Sequence, residues 1–145
     1  MNTQLRDIID TFQSVDPQTR MELLLDYSKK LPPLPERLHA ARDAGLGRVH
    51  ECQTAVFLFI ERESSDASRD GLIRIHVDVA EEAPTVRGFV SLLVRALEGA
   101  SPQDVRDVPN DLVHQLGLND LLRMNREVGL SAVLSRIKTE AMRGS

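Results

Sequence analysis

Apolar residues recur along this chain with two different periods, and the change of period divides it into segments. Leu5, Ile8, Ile9 and Phe12 fall at i, i+3, i+4 and i+7, which gathers four side chains on one helical face and predicts a first helix over residues 2–13. Asp16 followed by Pro17 supplies an N-cap and a proline at the first helical position, and Met21, Leu24, Leu25 and Leu31 carry a second stripe onward. That helix must stop at "LPPLPE", because prolines at 32, 33 and 35 cannot continue it. A helical turn over 36–42 is expected before Gly45 and Gly47.

The period then shortens to two. Val56, Phe57, Leu58, Phe59 and Ile60 form a β-rich run, and Leu72, Ile73, Ile75, Val77 and Val79 alternate with Arg74, His76 and Asp78. The two strands should pair, with "ESSDASRDG" as the hairpin loop, and residues 48–51 are expected to add a third, shorter strand ahead of Cys52. From Pro84 the helical period returns in Val86, Phe89, Val90, Leu93 and Leu97 and ends at Gly99, which predicts the most buried helix. "SPQD" and "VPND" each open a short helix, the second closing near Gly117. Leu130, Val133, Leu134 and Ile137 mark a last helix from about Arg126 to about Met142. The sum is an α+β fold: a small antiparallel sheet of about three strands packed against several helices.

Composition narrows the function more than the fold. At 145 residues the chain suits one domain, 1–145, with a core of its own. A net charge of -4 and the lack of a basic, aromatic-rich cluster argue against nucleic acid. The first residues, "MNTQLRDIIDTFQ", put Arg6, Asp7 and Asp10 where a secretory signal needs an apolar run, and no segment reaches the length of a membrane span. A cytoplasmic location is expected, and there a free thiol persists.

Cys52 is the only cysteine, so any chemistry at it needs a partner molecule. Free cysteines are mostly buried and inert, but this one precedes the apolar run at a predicted turn, with Arg48 and His50 close in sequence and able to favour the thiolate. Glu51 acts the other way. An i, i+2 spacing lets His50 share a strand face with Cys52, although no third orienting group is identifiable. His39, His50, His76 and His114 show no close metal-ligand spacing, and the strand position of His76 suggests a solvent-facing side chain. Glu81 and Glu82 read as a solvated turn before a helix. Gly88 costs that helix about 1 kcal/mol relative to alanine, so something should pack closely there, with helix-on-sheet contact expected ahead of a ligand contact. Arg126 opens the last helix where the dipole disfavours a cation, so it is either simply exposed or specifically partnered.

Taken in order, "LPPLPE", the V-x-x-CQT stretch, "EEAPTVRGF", "LGL" at 116–118 and "NREVGLSAVLSRIK" resemble the SufE family of sulfur acceptor proteins over nearly the whole chain. The resemblance implies a SufE/IscU-like fold with the cysteine at a turn. It puts the acceptor cysteine on Cys52 with Gln53 beside it, the arginine before the last helix on Arg126, and architectural roles on Gly88 and Arg87. Glu51 replaces a glycine common in the family, Thr54 a serine, and Phe57 stands where many members carry tryptophan.

What the resemblance implies for function is a persulfide relay. A pyridoxal-phosphate cysteine desulfurase would pass sulfur to Cys52, which would deliver it to an iron-sulfur scaffold complex, with Arg126 and Arg48 stabilising the sulfur anion. The pyridoxal cofactor belongs to the partner, and none is expected on this chain, which has no glycine-rich phosphate loop. Two other classes stay open: a regulatory module that docks on a desulfurase without carrying sulfur, and a thiol redox sensor. Monomer and homodimer are both compatible with the sequence. A self-sufficient cluster scaffold would need more thiolates than one chain holds.

Overall fold

Two local signals set the first helices. In the computed structural model, which describes residues 2–51, 54–63, 72–119 and 124–142 without the side chains of 62–63 and 124–128, the side chain of Asn2 accepts from the Leu5 amide at 2.8 Å and caps α1 (Thr3–Gln13). Asp16 does the same for α2 (Pro17–Ser28) through the Thr19 amide, with Pro17 at the first position. Helix α2 ends before Leu31, which stays buried as part of the irregular, proline-rich connection. A 3-10 turn (Glu36–Leu38) then leads into α3 (His39–Asp43).

Strands β1 (Val56–Glu63) and β2 (Leu72–Val79) form an antiparallel hairpin in which Val56 opposes Val79 and Ile60 opposes Ile75. The period-two pattern of β2 is realised directly: Ile73, Ile75, Val77 and Val79 are buried, while the residues between them face the other side. The predicted third strand over 48–51 is reduced to a single bridge, Arg48 to Phe57. Among the described residues of this segment, only Gly47 and Val49 exchange backbone hydrogen bonds with β1, so the short edge never becomes a ladder. The segment predicted as the hairpin loop lies, from residue 64 on, outside the described residues.

The buried face of the hairpin rests on α4 (Pro84–Leu97) and α7 (Met124–Met142), and α4 in turn packs against α1 and α2. Eleven of the fourteen residues of α4 are buried, as expected for a helix with neighbours on nearly every side. The short helices α5 (Pro102–Arg106) and α6 (Leu112–Gln115) pack against α7, and Ser101 and Asp104 close a reciprocal capping box on α5. The α+β reading holds, with two strands among the described residues where about three were expected.

The neighbour of Gly88 is a helix, contrary to expectation. A Cβ there would lie 2.2 Å from the Leu24 carbonyl oxygen of α2, which marks a backbone-to-backbone crossing where only glycine fits. Next to it, the Arg87 guanidinium donates to the Ser28 carbonyl at 3.0 Å and to the Val79 carbonyl at 2.8 Å, tying the end of α2 to the end of β2. Because the obstacle is backbone, Gly88→Ala should destabilise the protein by about 2 kcal/mol or more, even after the ~1 kcal/mol alanine gains in helix propensity. Urea unfolding checks this, and an unchanged midpoint would mean that α2 withdraws freely.

Candidate functional site

Cys52 and Gln53 lie outside the described residues, as does the side chain of Arg126. The chain on either side of the cysteine is well defined. Val49 and Val56 are both fully buried, and the Val49 amide donates to the Val56 carbonyl at 2.9 Å. Leu58 donates to Gly47 at 2.8 Å, and Ala80 donates to Ala55 at 3.1 Å. The stretch 50–55 is therefore fastened where it leaves the core and where it returns. His50 and Glu51 are exposed. Gly47 is needed for this approach: its φ is 76°, and a Cβ would meet the Leu58 carbonyl oxygen at 2.8 Å and the Phe59 ring at 2.9 Å.

Arg48 is half-buried at the foot of this stretch, with its guanidinium carbon 5.6 Å from the centroid of the Phe57 ring, within the range of a cation–π contact. Its carbonyl accepts from Arg136 of α7 at 3.3 Å. Arg136 also lies 3.6 Å from Glu140, one turn along. Sequence reasoning missed Arg136. Its only local sign is a cation beside the buried stripe of Val133 and Ile137, paired i, i+4 with a glutamate. The backbone of Arg126 belongs to the first turn of α7, and no described contact joins it to Arg48.

The other face of the hairpin is clasped by the segment that leads into Arg48. Arg37 donates to Glu61 through both terminal guanidinium nitrogens, at 2.7 and 2.5 Å, and Glu61 also meets His76 at 2.8 Å. Arg42 reaches Asp78 at 2.9 Å. His76 is thus engaged with Glu61 and not simply turned to solvent as its strand position suggested. These pairs hold the 3-10 turn and α3 against the hairpin and so fix the course of residues 44–49. The Arg37 hydrogen bonds are the main reason the Glu61 carboxyl is held down to about 2 from 4.5; partial burial opposes the lowering and His76 adds to it. Among the described residues, no three His, Cys, Asp or Glu side chains converge as a metal cradle, and no helix is long and apolar enough to cross a membrane.

An antiparallel hairpin laid on a helical layer, with a single-cysteine stretch feeding its first strand, defines an α+β protein of small-sheet type. The solution structure of a hypothetical protein from Thermus thermophilus has the same fold, with a TM-score of 0.75 at 34% identity over 95% of this chain and 93% of that one. Residues 6–141 match the SufE family, described as an Fe-S metabolism associated domain, and the chain belongs to that family. It is 37% identical over 134 residues to an uncharacterized SufE-like protein of Mycobacterium tuberculosis, covering 92% of this chain and 88% of that protein. The cysteine desulfuration protein SufE of Plasmodium falciparum is 22% identical over 95% of this chain, which spans 53% of that longer protein.

The clasp predicts a pH dependence with a definite sign. Because the folded-state value for Glu61 lies below its ordinary one, the pair stabilises the fold above about 4.5 and loses that contribution as pH falls toward about 2. The stability gap between the wild type and Glu61→Gln should stay constant near neutrality and close over that acid window. Thermal melts followed by circular dichroism would show it, and a gap unchanged by acid would contradict the pairing.

Proposed function

We propose that this chain is a sulfur acceptor and carrier. It takes the outer sulfur of a cysteine desulfurase persulfide onto Cys52, stimulates that enzyme by clearing its cysteine, and passes the sulfur to an iron-sulfur scaffold complex. The observation that carries this reading is a solitary thiol in the family's acceptor position, on a stretch anchored at both ends by the buried pair Val49 and Val56. One thiol is all a carrier needs, because each transfer exchanges one thiolate for another. The desulfurase persulfide and its pyridoxal phosphate belong to the partner, and residues 1–145 act as one SufE-like domain.

The step balances without an external oxidant. The Cys52 thiolate attacks the terminal sulfur of the partner's persulfide, an S–S bond forms at Cys52, and the S–S bond on the partner breaks. The partner's cysteine leaves as thiolate, and the terminal sulfur keeps its proton or its charge. Rate then depends on the thiolate fraction at Cys52 and on access to it. Glu51, exposed and adjacent, disfavours the thiolate, and Arg126 and Arg48 are the cations assigned to offset it.

The role of Arg126 comes from the family resemblance, and its backbone stands in the first turn of α7. Arg136 donates to the Arg48 carbonyl, and Arg136 and Glu140 line one cavity together with residues 58–61 of β1. Arg48 makes the weaker claim, since its guanidinium already rests over Phe57.

Incubated with a cysteine desulfurase and free cysteine, the wild type should gain one reductant-labile sulfur by intact-protein mass spectrometry, and Cys52→Ser should gain none. No gain by the wild type, with a known acceptor loaded in parallel, would overturn the carrier reading in favour of a docking regulator. Arg126→Ala should slow loading by roughly tenfold, the scale of one lost charge-assisted contact, while leaving the melting temperature near that of the wild type.

A further inference from the structure

The hairpin has a second edge, away from Gly47 and Val49, and part of it is unpaired. Because Ala80 donates to Ala55, alternate residues of β2 use their backbone groups toward β1, and Ile73, Ile75, Val77 and Val79 turn theirs outward. Ile73 is satisfied on that outer edge: its amide donates to Ala100 at 2.9 Å, and its carbonyl accepts from Gly99 at 3.1 Å. The Val79 carbonyl is taken by Arg87. Between these two anchors, the outward groups of Ile75 and Val77 have no hydrogen-bond partner among the described residues. A strand edge left in this state is a template for another strand.

A groove of about 690 Å³ opens along the edge at Ile75. Its walls are of two kinds. The proline-rich connection contributes Pro32, Pro33 and Pro35, which carry no N–H and so cannot pair with the edge themselves. Helix α4 contributes Val94 and Arg95, and Glu98 follows at its end. Of the charges lining the groove, Lys30 is paired with Asp26 at 2.9 Å, Glu98 with Arg74, and His76 with Glu61. Arg95 is exposed and makes no hydrogen bond or ion pair among the described residues; it acts on Asp26 only through space.

We propose that this edge is a docking groove for a short extended peptide segment of a partner protein, one that pairs its backbone with Ile75 and brings a carboxylate to Arg95. Unpaired strand groups select an extended backbone, the apolar walls select small or branched side chains, and the uncompensated cation selects Asp or Glu. A second copy of this chain fits less well, because two-fold pairing along this edge would bring a second Arg95 toward the first. The groove makes no use of Cys52, so it stands or falls independently of the sulfur relay.

The test is to pan a phage-displayed library of random dodecapeptides against the purified chain and to measure the enriched sequences as fluorescein-labelled peptides by anisotropy. The expected consensus has an Asp or Glu flanked by β-branched residues. Arg95→Glu should weaken it by about tenfold or more, the scale of one charge-assisted contact. Single backbone N-methylation of the peptide should abolish binding at the pairing residue and be tolerated at its immediate neighbours, a period-two readout that leaves the protein untouched. The proposal is overturned if no acidic extended consensus emerges, if Arg95→Glu binds equally well, or if N-methylation shows no alternation. It is equally overturned if the free chain forms a dimer in which the Ile75 amide is protected from exchange until dilution, which would assign the edge to a second copy.

Discussion

The close crossing of α4 over α2 sets the depth at which everything else is hung. At Gly88 the two backbones meet with no room for a methyl group, and the adjacent Arg87 binds a carbonyl from each of the elements that α4 separates. Helix α4 therefore forms the floor beneath β2, and on the edge of β2 away from β1 the Val79 carbonyl is held by a guanidinium. Only one residue later, Ala80 donates to Ala55 and closes the far side of the cysteine stretch. The helical core and the anchoring of that stretch are thus the same construction, linked through a few backbone carbonyls.

On the proposed reading the chain needs little chemistry of its own. The family assignment associates the fold with Fe-S metabolism, and the single thiol restricts covalent chemistry to exchange with a partner. What the protein supplies is position: a buried exit at Val49, a buried return at Val56, and an ion-pair clasp through Arg37, Glu61 and His76 that steadies the approach to Arg48. The Arg48 guanidinium over Phe57 and the Arg136 contact to the Arg48 carbonyl draw α7 into the same frame.

What could be read in the sequence depended on how local each signal is. Helices α1, α2 and α4 follow from periodicity, from Asp16 and from prolines at their starts; β2 follows from strict alternation, and all of these use residues within one or two turns of each other. The third strand failed because residues 48–51 have strand-like chemistry but share only one bridge with β1, and bridge number is a property of the assembled sheet. Gly88 announced a close neighbour without saying which, since the Leu24 carbonyl lies far away in the chain. The pairing of Glu61 with Arg37 and His76 was invisible for the same reason, and so was the unpaired edge at Ile75. Cys52 stood out as the only cysteine and Arg126 as a cation at a helix start, but their roles were reached through the ordered family motifs, because a lone thiol and a lone arginine carry no pattern of their own.

The central claim is that Cys52 receives sulfur directly from a partner's persulfide. The most direct measurement loads a cysteine desulfurase with radioactive sulfur from labelled cysteine, removes the free amino acid, and mixes the loaded enzyme with this chain in a single turnover. The account predicts that label lost from the desulfurase appears on this chain one for one, and that prior alkylation of Cys52 blocks the transfer. Label that stays on the desulfurase while this chain still accelerates its turnover of fresh cysteine would contradict the account and make the chain a regulator.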